Sequence, residues 1–376
     1  MNNEPLTWIW QQPDWPHFDW QDECIWSLLR RVRLQQGILL GKTGAVHNGL
    51  SLETALDTLL KNILTSSAIE GETLNVQSVR SSLASRMGLN LQHPYPTTER
   101  SEGLAQMMLD AISNLDSPLT LERLFQWHQW LFPNTATSIY SIPAGQLRGE
   151  DPMQVVSGRI DKPTVHYEAP PRSRLTHELT EFIRWFNQSR NDNTLDPLLR
   201  AAICHFWFVT LHPFEDGNGR MTRTLTDLAL AQDDRQSIRL YAMSASILAR
   251  RNDYYRVLEA CQRHTLDITV WLVWFLETLE DSLQAAIDNI ERTLVKSRFW
   301  QRYQGVELSV EQTKVLNRLL NGGEKGFDQG ISASQYQKVA KVSKATATRH
   351  LADLCIKGCI EKLPGGGRNT RYQVCV

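Results

Sequence analysis

The stretch His212 to Arg223, HPFEDGNGRMTR, concentrates chemistry within twelve residues. The imidazole of His212 is a base that titrates near neutral pH. Asp216 offers a hard carboxylate oxygen of the kind that holds Mg2+ between phosphates. Gly217-Asn218-Gly219 permits positive φ at successive positions, which would turn backbone N–H groups inward as an anion nest. A helix opening at about Arg220 and running to Ala231 would aim its N-terminus at the same anion. Arg220 and Arg223 are three apart and share one side of that helix. Two guanidiniums suit a chain of phosphates better than a single one. A solvated glycine turn would require none of these side chains at these spacings, so the stretch predicts a phosphate-handling site.

Such a site needs a rigid mount. The run from Leu198 to Leu211 carries almost no charge and predicts a helix buried on most sides, with Asp196 as N-cap and Pro197 in the first turn. A second amphipathic helix is expected from Leu121 to Leu131. A third is expected from Ser51 to Ile69, where Leu52, Ala55, Leu56, Leu59, Leu60, Ile63 and Leu64 keep the helical period. Ser51 is its expected N-cap and Gly71 its expected stop. Ser66-Ser67-Ala68-Ile69-Glu70-Gly71 closes that helix. A carboxylate near a helix C-terminus is disfavoured by about 0.3–1 kcal/mol, so Glu70 implies an external cation. From Pro152 to Pro170, MQVVSG and TVHYEAPP read as two short strands around a turn with Gly158 and Pro163.

At every defining position His212–Arg223 resembles the signature of the Fic family, HxFx(D/E)GNGRxxR. The resemblance implies a mainly α fold, a helical core with a β-hairpin called the flap. It implies transfer of AMP from ATP to a Ser, Thr or Tyr hydroxyl of a target protein, or of the chain itself, with pyrophosphate leaving. His212 would be the general base and Asp216 would hold Mg2+. Gly217, Asn218 and Gly219 would cradle the α- and β-phosphates, with Arg220 on the β- and Arg223 on the γ-phosphate. The segment from Pro152 to Pro170 resembles the flap, which registers a target as an added strand. Tyr254-Tyr255, after Asn252-Asp253, resembles the adenine-side segment; core packing of the pair is the alternative. Ser66, Glu70 and Gly71 match the inhibitory motif (S/T)xxxE(G/N), which implies that Glu70 pairs with Arg223 in place of the γ-phosphate. Removal of AMP through Glu70 is a second activity the resemblance allows, and homodimerisation is a further expectation. The nucleotide base and the target stay open.

The rest of the chain bounds these readings. A length of 376 residues predicts two or three domains. A hydrophobic content of 41%, 22% charged residues and a net charge of −1 fit a soluble globular protein and exclude a general nucleic-acid or membrane-surface binder. No apolar run is long enough to span a bilayer, and no secretory signal is read at the N-terminus. The six cysteines form no CxxC pair; Cys355 and Cys359 lie a helical turn apart without a second ligand pair. Reduced thiols in a cytoplasm are expected, without zinc.

Four regions are expected: a tryptophan-rich 1–95, a catalytic core 96–265, a helical connector 266–305 and a winged-helix domain 306–376. Trp8, Trp10, Trp15, Trp20 and Trp26 stand in the first, and Pro13 and Pro16 argue against a helix at its start. These aromatics read as a small aromatic-rich core, as a strap over a neighbouring domain or as a partner surface. In the last region Val339–Ala340 would lie on one helix and Ala345–Leu354 on the next, with Gly358 opening a wing tipped by Gly365–Gly367. Eleven Lys and Arg there stand against six acids, a local excess of about +5. That excess supports an alternative function, a nucleotide-sensing DNA-binding transcription regulator, with Lys338, Lys341, Lys344 and Arg349 on phosphates. Winged helices also serve as protein contacts, so the region predicts DNA or protein binding.

Overall fold

The computed structural model describes residues 8–44, 48–133, 142–159, 162–234, 240–322, 327, 329–364 and 370–375. The chain divides into two compact units, Met1–Ala286 and Ile287–Val376. The first holds α1 (Asp22–Gly44), α2 (Asn48–Ile69), α3 (Val76–Arg86), α4 (Glu99–Ser113) and α5 (Leu121–Leu131). The hairpin β1 (Gln154–Arg159) and β2 (Lys162–Glu168) follows. Then come α6 (Arg172–Gln188), α7 (Pro197–Leu211), α8 (Asn218–Asp234), α9 (Met243–Ala249), α10 (Arg251–Cys261) and the start of α11 (Thr269–Arg302).

Helix α7 is the mount. Every residue from Leu198 to Leu211 is buried, and each fully buried Leu or Phe contributes about 1.5–3 kcal/mol. Asp196 caps it, accepting from the Leu198 N–H at 2.8 Å, and Pro197 fills the first helical position. The single charge inside the run, Arg200, stacks on Phe186 and donates to the Phe186 carbonyl at 2.7 Å and to Ser189 Oγ at 3.0 Å. Helix α7 packs most extensively on α8, and α2 lies against α3, α4, α8 and α9. Asn62 of α2 ties that layer together, donating to Asp227 of α8 at 2.6 Å and accepting from the Ser244 N–H of α9 at 3.1 Å.

Helix α2 begins at Asn48, three residues before the expected cap, so Ser51 lies inside it; the Ser51 side chain is outside the described residues. The far end follows the expectation. Gly71 takes φ 79°, its N–H reaches the Ala68 carbonyl at 3.0 Å, and the Glu72 N–H reaches the Ser67 carbonyl at 3.0 Å. This is the paired-bond stop that a left-handed glycine permits.

The N-terminal tryptophans form a strap. Trp8, Trp10 and Trp15 are buried. Trp10 donates to the Glu168 carbonyl at the end of β2 (2.8 Å), and Trp15 donates to Glu178 of α6 (2.7 Å). Trp8 meets Tyr167 edge-on at 5.4 Å. Trp26 is 58% exposed on α1, a helix that starts after the last of these prolines.

In the second unit α12 (Val310–Asn321), β3 (Ile331–Ser332), α13 (Ala333–Ala340), α14 (Lys344–Ile356), β4 (Ile360–Lys362) and β5 (Arg371–Val374) follow the end of α11. Strand β5 pairs antiparallel with both β3 and β4. The core gathers Phe299, Leu316, Tyr336, Leu351 and Ile360. The short β3 is a strand that sequence reading did not include. The expected tip Gly365–Gly367, and Glu324, Lys325, Asp328 and Arg368 of the charge count, lie outside the described residues. Among the described residues no helix is long and apolar enough to cross a membrane.

Candidate active site

The loop from α7 to α8 is set by two side chains. Asn218 bonds the backbone of Phe214 in both directions, accepting from its N–H at 3.0 Å and donating to its carbonyl at 2.8 Å. This closes the loop and starts α8 at Asn218, two residues before the expected Arg220. The expectation of successive positive φ therefore fails. Gly217 has φ 81°, whereas Asn218 and Gly219 are already helical. Donors at this end come from the opening turn of α8, where N–H groups lack intrahelical partners. Gly219 is helical rather than left-handed, and a Cβ there would lie 2.1 Å from Oε1 of Glu70, so the carboxylate would have to shift.

The non-glycine left-handed residue here is His212 (φ 45°, ψ 58°), the C-cap of α7. A non-glycine residue holds this conformation only when its surroundings over-determine it. Arg148, which is 2% exposed, does so. Its Nε donates to the His212 carbonyl at 2.8 Å, its N–H to the Pro213 carbonyl at 3.0 Å, and its Nη2 to the Pro170 carbonyl. Nδ1 of the half-buried His212 lies 2.6 Å from the Val209 carbonyl. A carbonyl only accepts, so Nδ1 carries the proton and Nε2 is left with a free lone pair. Burial lowers the pKa of His212, opposed by the Val209 bond and by Glu70.

Arg223 is 3% exposed in its side chain and meets the end of α2 at three points. Nε donates to Ser66 Oγ at 2.8 Å, and Nη2 donates to the Ser66 carbonyl at 3.0 Å and to Oε1 of Glu70 at 2.7 Å. Arg251 donates to the Ile69 carbonyl at 2.8 Å and fastens the same helix end. Arg220 pairs with Glu72 at 2.6 Å, and Glu72 also takes a forked bond from Arg100 at 2.8 Å. Burial lowers the pKa of Arg220, helped by the neighbouring Arg100 cation. Buried Nε of Arg220 and Nη1 of Arg223 have no hydrogen-bond partner among the described residues. Such nitrogens cost free energy until an acceptor arrives.

Residues 118–230 match the Fic/DOC family and residues 8–89 match DUF4172, a domain of unknown function. The chain carries a Fic domain. It is similar to "Protein adenylyltransferase fic-1" of Caenorhabditis elegans, with 27% identity over 191 residues that cover 49% of this chain and 35% of the relative. "Protein adenylyltransferase Fic" of Drosophila melanogaster is 26% identical over 242 residues, 60% of this chain and 46% of the relative. The chain thus spans less than half the length of these relatives. Among solved structures, a Fic family protein from Desulfovibrio desulfuricans G20 shares the fold with a TM-score of 0.50 and 21% identity, over 93% of this chain and 96% of the other. Fic-1 of Caenorhabditis elegans also gives a TM-score of 0.50, with 22% identity, over 72% of this chain and 76% of the other. Helices α7 and α8 and the loop between them fall in the Fic match up to residue 230, whereas Ser66, Glu70 and Gly71 fall in the other.

A cavity of about 650 Å³ opens beside this loop. Its walls include His212, Gly219, Glu70, Tyr255 and Val156 of the hairpin. Both expected tyrosines line the cavity, and they differ in exposure. Tyr254 is 2% exposed and bonds His205 at 2.9 Å, so core packing holds it. Tyr255 is 38% exposed and lies under the Arg251 guanidinium at 5.4 Å. Asp216 has a side chain 56% exposed; its Oδ1 accepts from the Gly217 N–H at 2.5 Å and stands 3.5 Å from Arg220. No group of three or more His, Cys, Asp or Glu among the described residues could hold a metal alone.

Four residues around this loop have no signal in their own sequence neighbourhood: Glu72, Arg100, Arg148 and His128. Nδ1 of His128 accepts from the Gly145 N–H at 3.0 Å, so its Nε2–H donates to the Asp216 carbonyl at 3.1 Å. Its ring stacks on Phe214 at 4.2 Å. Each of the four acts on a residue far away in the chain.

Proposed function

We propose that this protein transfers AMP from ATP to a Ser, Thr or Tyr hydroxyl of a protein, and that Glu70 restrains the reaction. The Glu70–Arg223 contact carries the reading. A carboxylate held 2.7 Å from a buried guanidinium, over a glycine with no room for a Cβ, occupies a place suited to a phosphate oxygen. His212 takes the proton of the incoming hydroxyl at Nε2, the nitrogen its tautomer leaves free. Arg220 and Arg223 bind the outer phosphates, which satisfies their unpartnered nitrogens. The opening turn of α8 donates to the inner ones. Tyr255 and Arg251 take the base side of the nucleotide.

Asp216 fits a Mg2+ ion that draws its other ligands from phosphates and water, the usual pattern for this cation. When bound, the ion would neutralise phosphate charge; the carboxylate of Asp216 would hold it beside Arg220. The exposed hairpin of β1 and β2 supports docking of the target as an added strand, since its members pair only with each other among the described residues. The deciding experiment compares AMP incorporation by the wild type and by Glu70→Gly. A Glu70→Gly protein that transfers no more AMP than the wild type removes the restraint from the account.

For the second unit we infer a winged-helix domain that contacts DNA. The order of its helices and strands supports this, as do Lys338, Lys341, Lys344 and Arg349, all exposed on or between α13 and α14. A gel shift that fades steeply with salt is expected; no shift at low salt ends the reading.

A further inference from the structure

Three residues outside His212–Arg223 form a second acid–base chain. Oγ of Ser157 on β1 lies 2.6 Å from Nε2 of His166 on β2. Nδ1 of His166 lies 2.9 Å from Oε2 of Glu259 on α10. All three line the same cavity as His212 and Gly219. A carboxylate only accepts, so Nδ1 of His166 carries the proton. In the neutral ring Nε2 then offers a lone pair, to which the hydroxyl of Ser157 donates. This is the tautomer that activates a serine: base at one ring nitrogen, orienting carboxylate at the other.

Regular strand pairing would not assemble this chain. Ser157 stands opposite Thr164, and Val155 stands opposite Tyr167. A bulge between Val155 and Val156 leaves His166 without an opposite residue. Bulges re-aim side chains, and here one brings the ring of His166 to Ser157. Glu259 is fixed in turn by Arg263, which donates to its Oε1 at 2.6 Å and to the His166 carbonyl at 3.2 Å. A chance surface contact would need neither the bulge nor the Arg263 cation. Ser157 itself is exposed and lines that cavity.

We propose that Ser157 is an AMP acceptor within the chain, with His166 as its base and Glu259 as the group that orients His166. The proposal rests on the AMP-transfer reading above. Oγ of Ser157 bonds to the α-phosphorus of ATP, and the bond from that phosphorus to the oxygen bridging to the β-phosphate breaks. Pyrophosphate leaves with the electron pair. The proton of the hydroxyl passes to Nε2 of His166, and the imidazolium rests against the Glu259 carboxylate. The product is a phosphodiester on β1 itself, so an adenosine group would stand on the strand offered to an incoming target. Self-modification would thereby limit access of other proteins.

The test incubates full-length Glu70→Gly protein with ATP, alone and with a cell lysate, and maps AMP by peptide mass. AMP is expected on Ser157. Adding Ser157→Ala lowers self-incorporation at least about tenfold, and Ser157→Thr, which keeps a hydroxyl on a strand, restores it. Adding His166→Gln slows labelling of Ser157 about a hundredfold, the usual contribution of a general base. Lysate proteins that gain AMP while Ser157 stays unmodified overturn the assignment and leave the AMP-transfer reading standing. AMP on neither the chain nor any lysate protein overturns both.

Discussion

Gly219 and Glu70 share one space: a Cβ on Gly219 would stand 2.1 Å from Oε1 of Glu70 and 3.1 Å from Nη1 of Arg223. A Gly219→Ala methyl would displace the Glu70 carboxylate, the far end of a flexible side chain. The same methyl would then oppose a phosphate seated on Arg223. Gly219→Ala is therefore expected to gain no transfer, unlike Glu70→Gly, and to bind ATP about tenfold or more weakly, as loss of a charged hydrogen bond would cost. Calorimetry and AMP incorporation check this. A Gly219→Ala protein as active as Glu70→Gly would show that no phosphate comes close to this glycine.

Glu70→Gln keeps the shape of the side chain and drops its charge. Arg223, buried to 3% exposure, then loses its carboxylate. Such a contact is worth about 1.5–3 kcal/mol, so AMP incorporation is expected to rise about tenfold to a hundredfold. Without ATP the variant should melt below the wild type. With ATP it should gain about 2–4 °C more than the wild type gains for each kcal/mol restored. Equal ATP-induced shifts in the two proteins would mean that Glu70 and the triphosphate do not compete for Arg223.

The legible features are those that close within a few residues. Asp196 and Pro197 cap α7 through a bond two residues long, and Gly71 stops α2 through bonds within six. The twelve residues from His212 fall together because one loop and one helix turn carry them. Illegible were the partners that tertiary packing selects. Arg148 reaches His212 from 64 residues away, and Arg220 finds Glu72 from 148. Nothing beside Arg148 or Glu72 in the chain marks them. The backbone of the loop differs for a related reason. The glycines imply a run of positive φ, but the Asn218 side chain starts α8 early, which leaves Gly217 as the one glycine of the pair with positive φ, and Arg148 holds His212 left-handed as well.

His212 supports a pH prediction. Burial lowers its pKa, so the neutral base persists at lower pH than in an ordinary histidine, which titrates near about 6.5. The acidic limb of transfer by the Glu70→Gly protein is expected below that value. Glu70 opposes the shift, so its removal moves the limb further down. His212→Asn should cost about a hundredfold or more in transfer, and it should keep the melting temperature because Asn tolerates the left-handed backbone. A limb at or above the ordinary value, read from rate against pH, would assign the titration to another group.

Arg148 should govern turnover without touching nucleotide. Its guanidinium holds the carbonyls of His212 and Pro170 together, and its own carbonyl accepts from Arg172 at 3.0 Å. It therefore fixes both the strained backbone under the base and the segment that follows β2. A lysine ammonium replaces the fixed fork of N–H donors with one point, so Arg148→Lys should hold the two carbonyls less firmly. A misplacement of about 1 Å costs about a hundredfold in rate, and that is the expected fall in kcat in the Glu70→Gly background. Affinity for ATP should stay within about twofold, because the phosphate ligands sit on α8 and are untouched. Arg148→Met, which leaves both carbonyls unpaired, should lose more in kcat and also melt earlier, by about 1–3 kcal/mol for each buried acceptor. Parallel loss of kcat and ATP affinity in Arg148→Lys would mean that Arg148 supports the fold at large rather than the seat of His212.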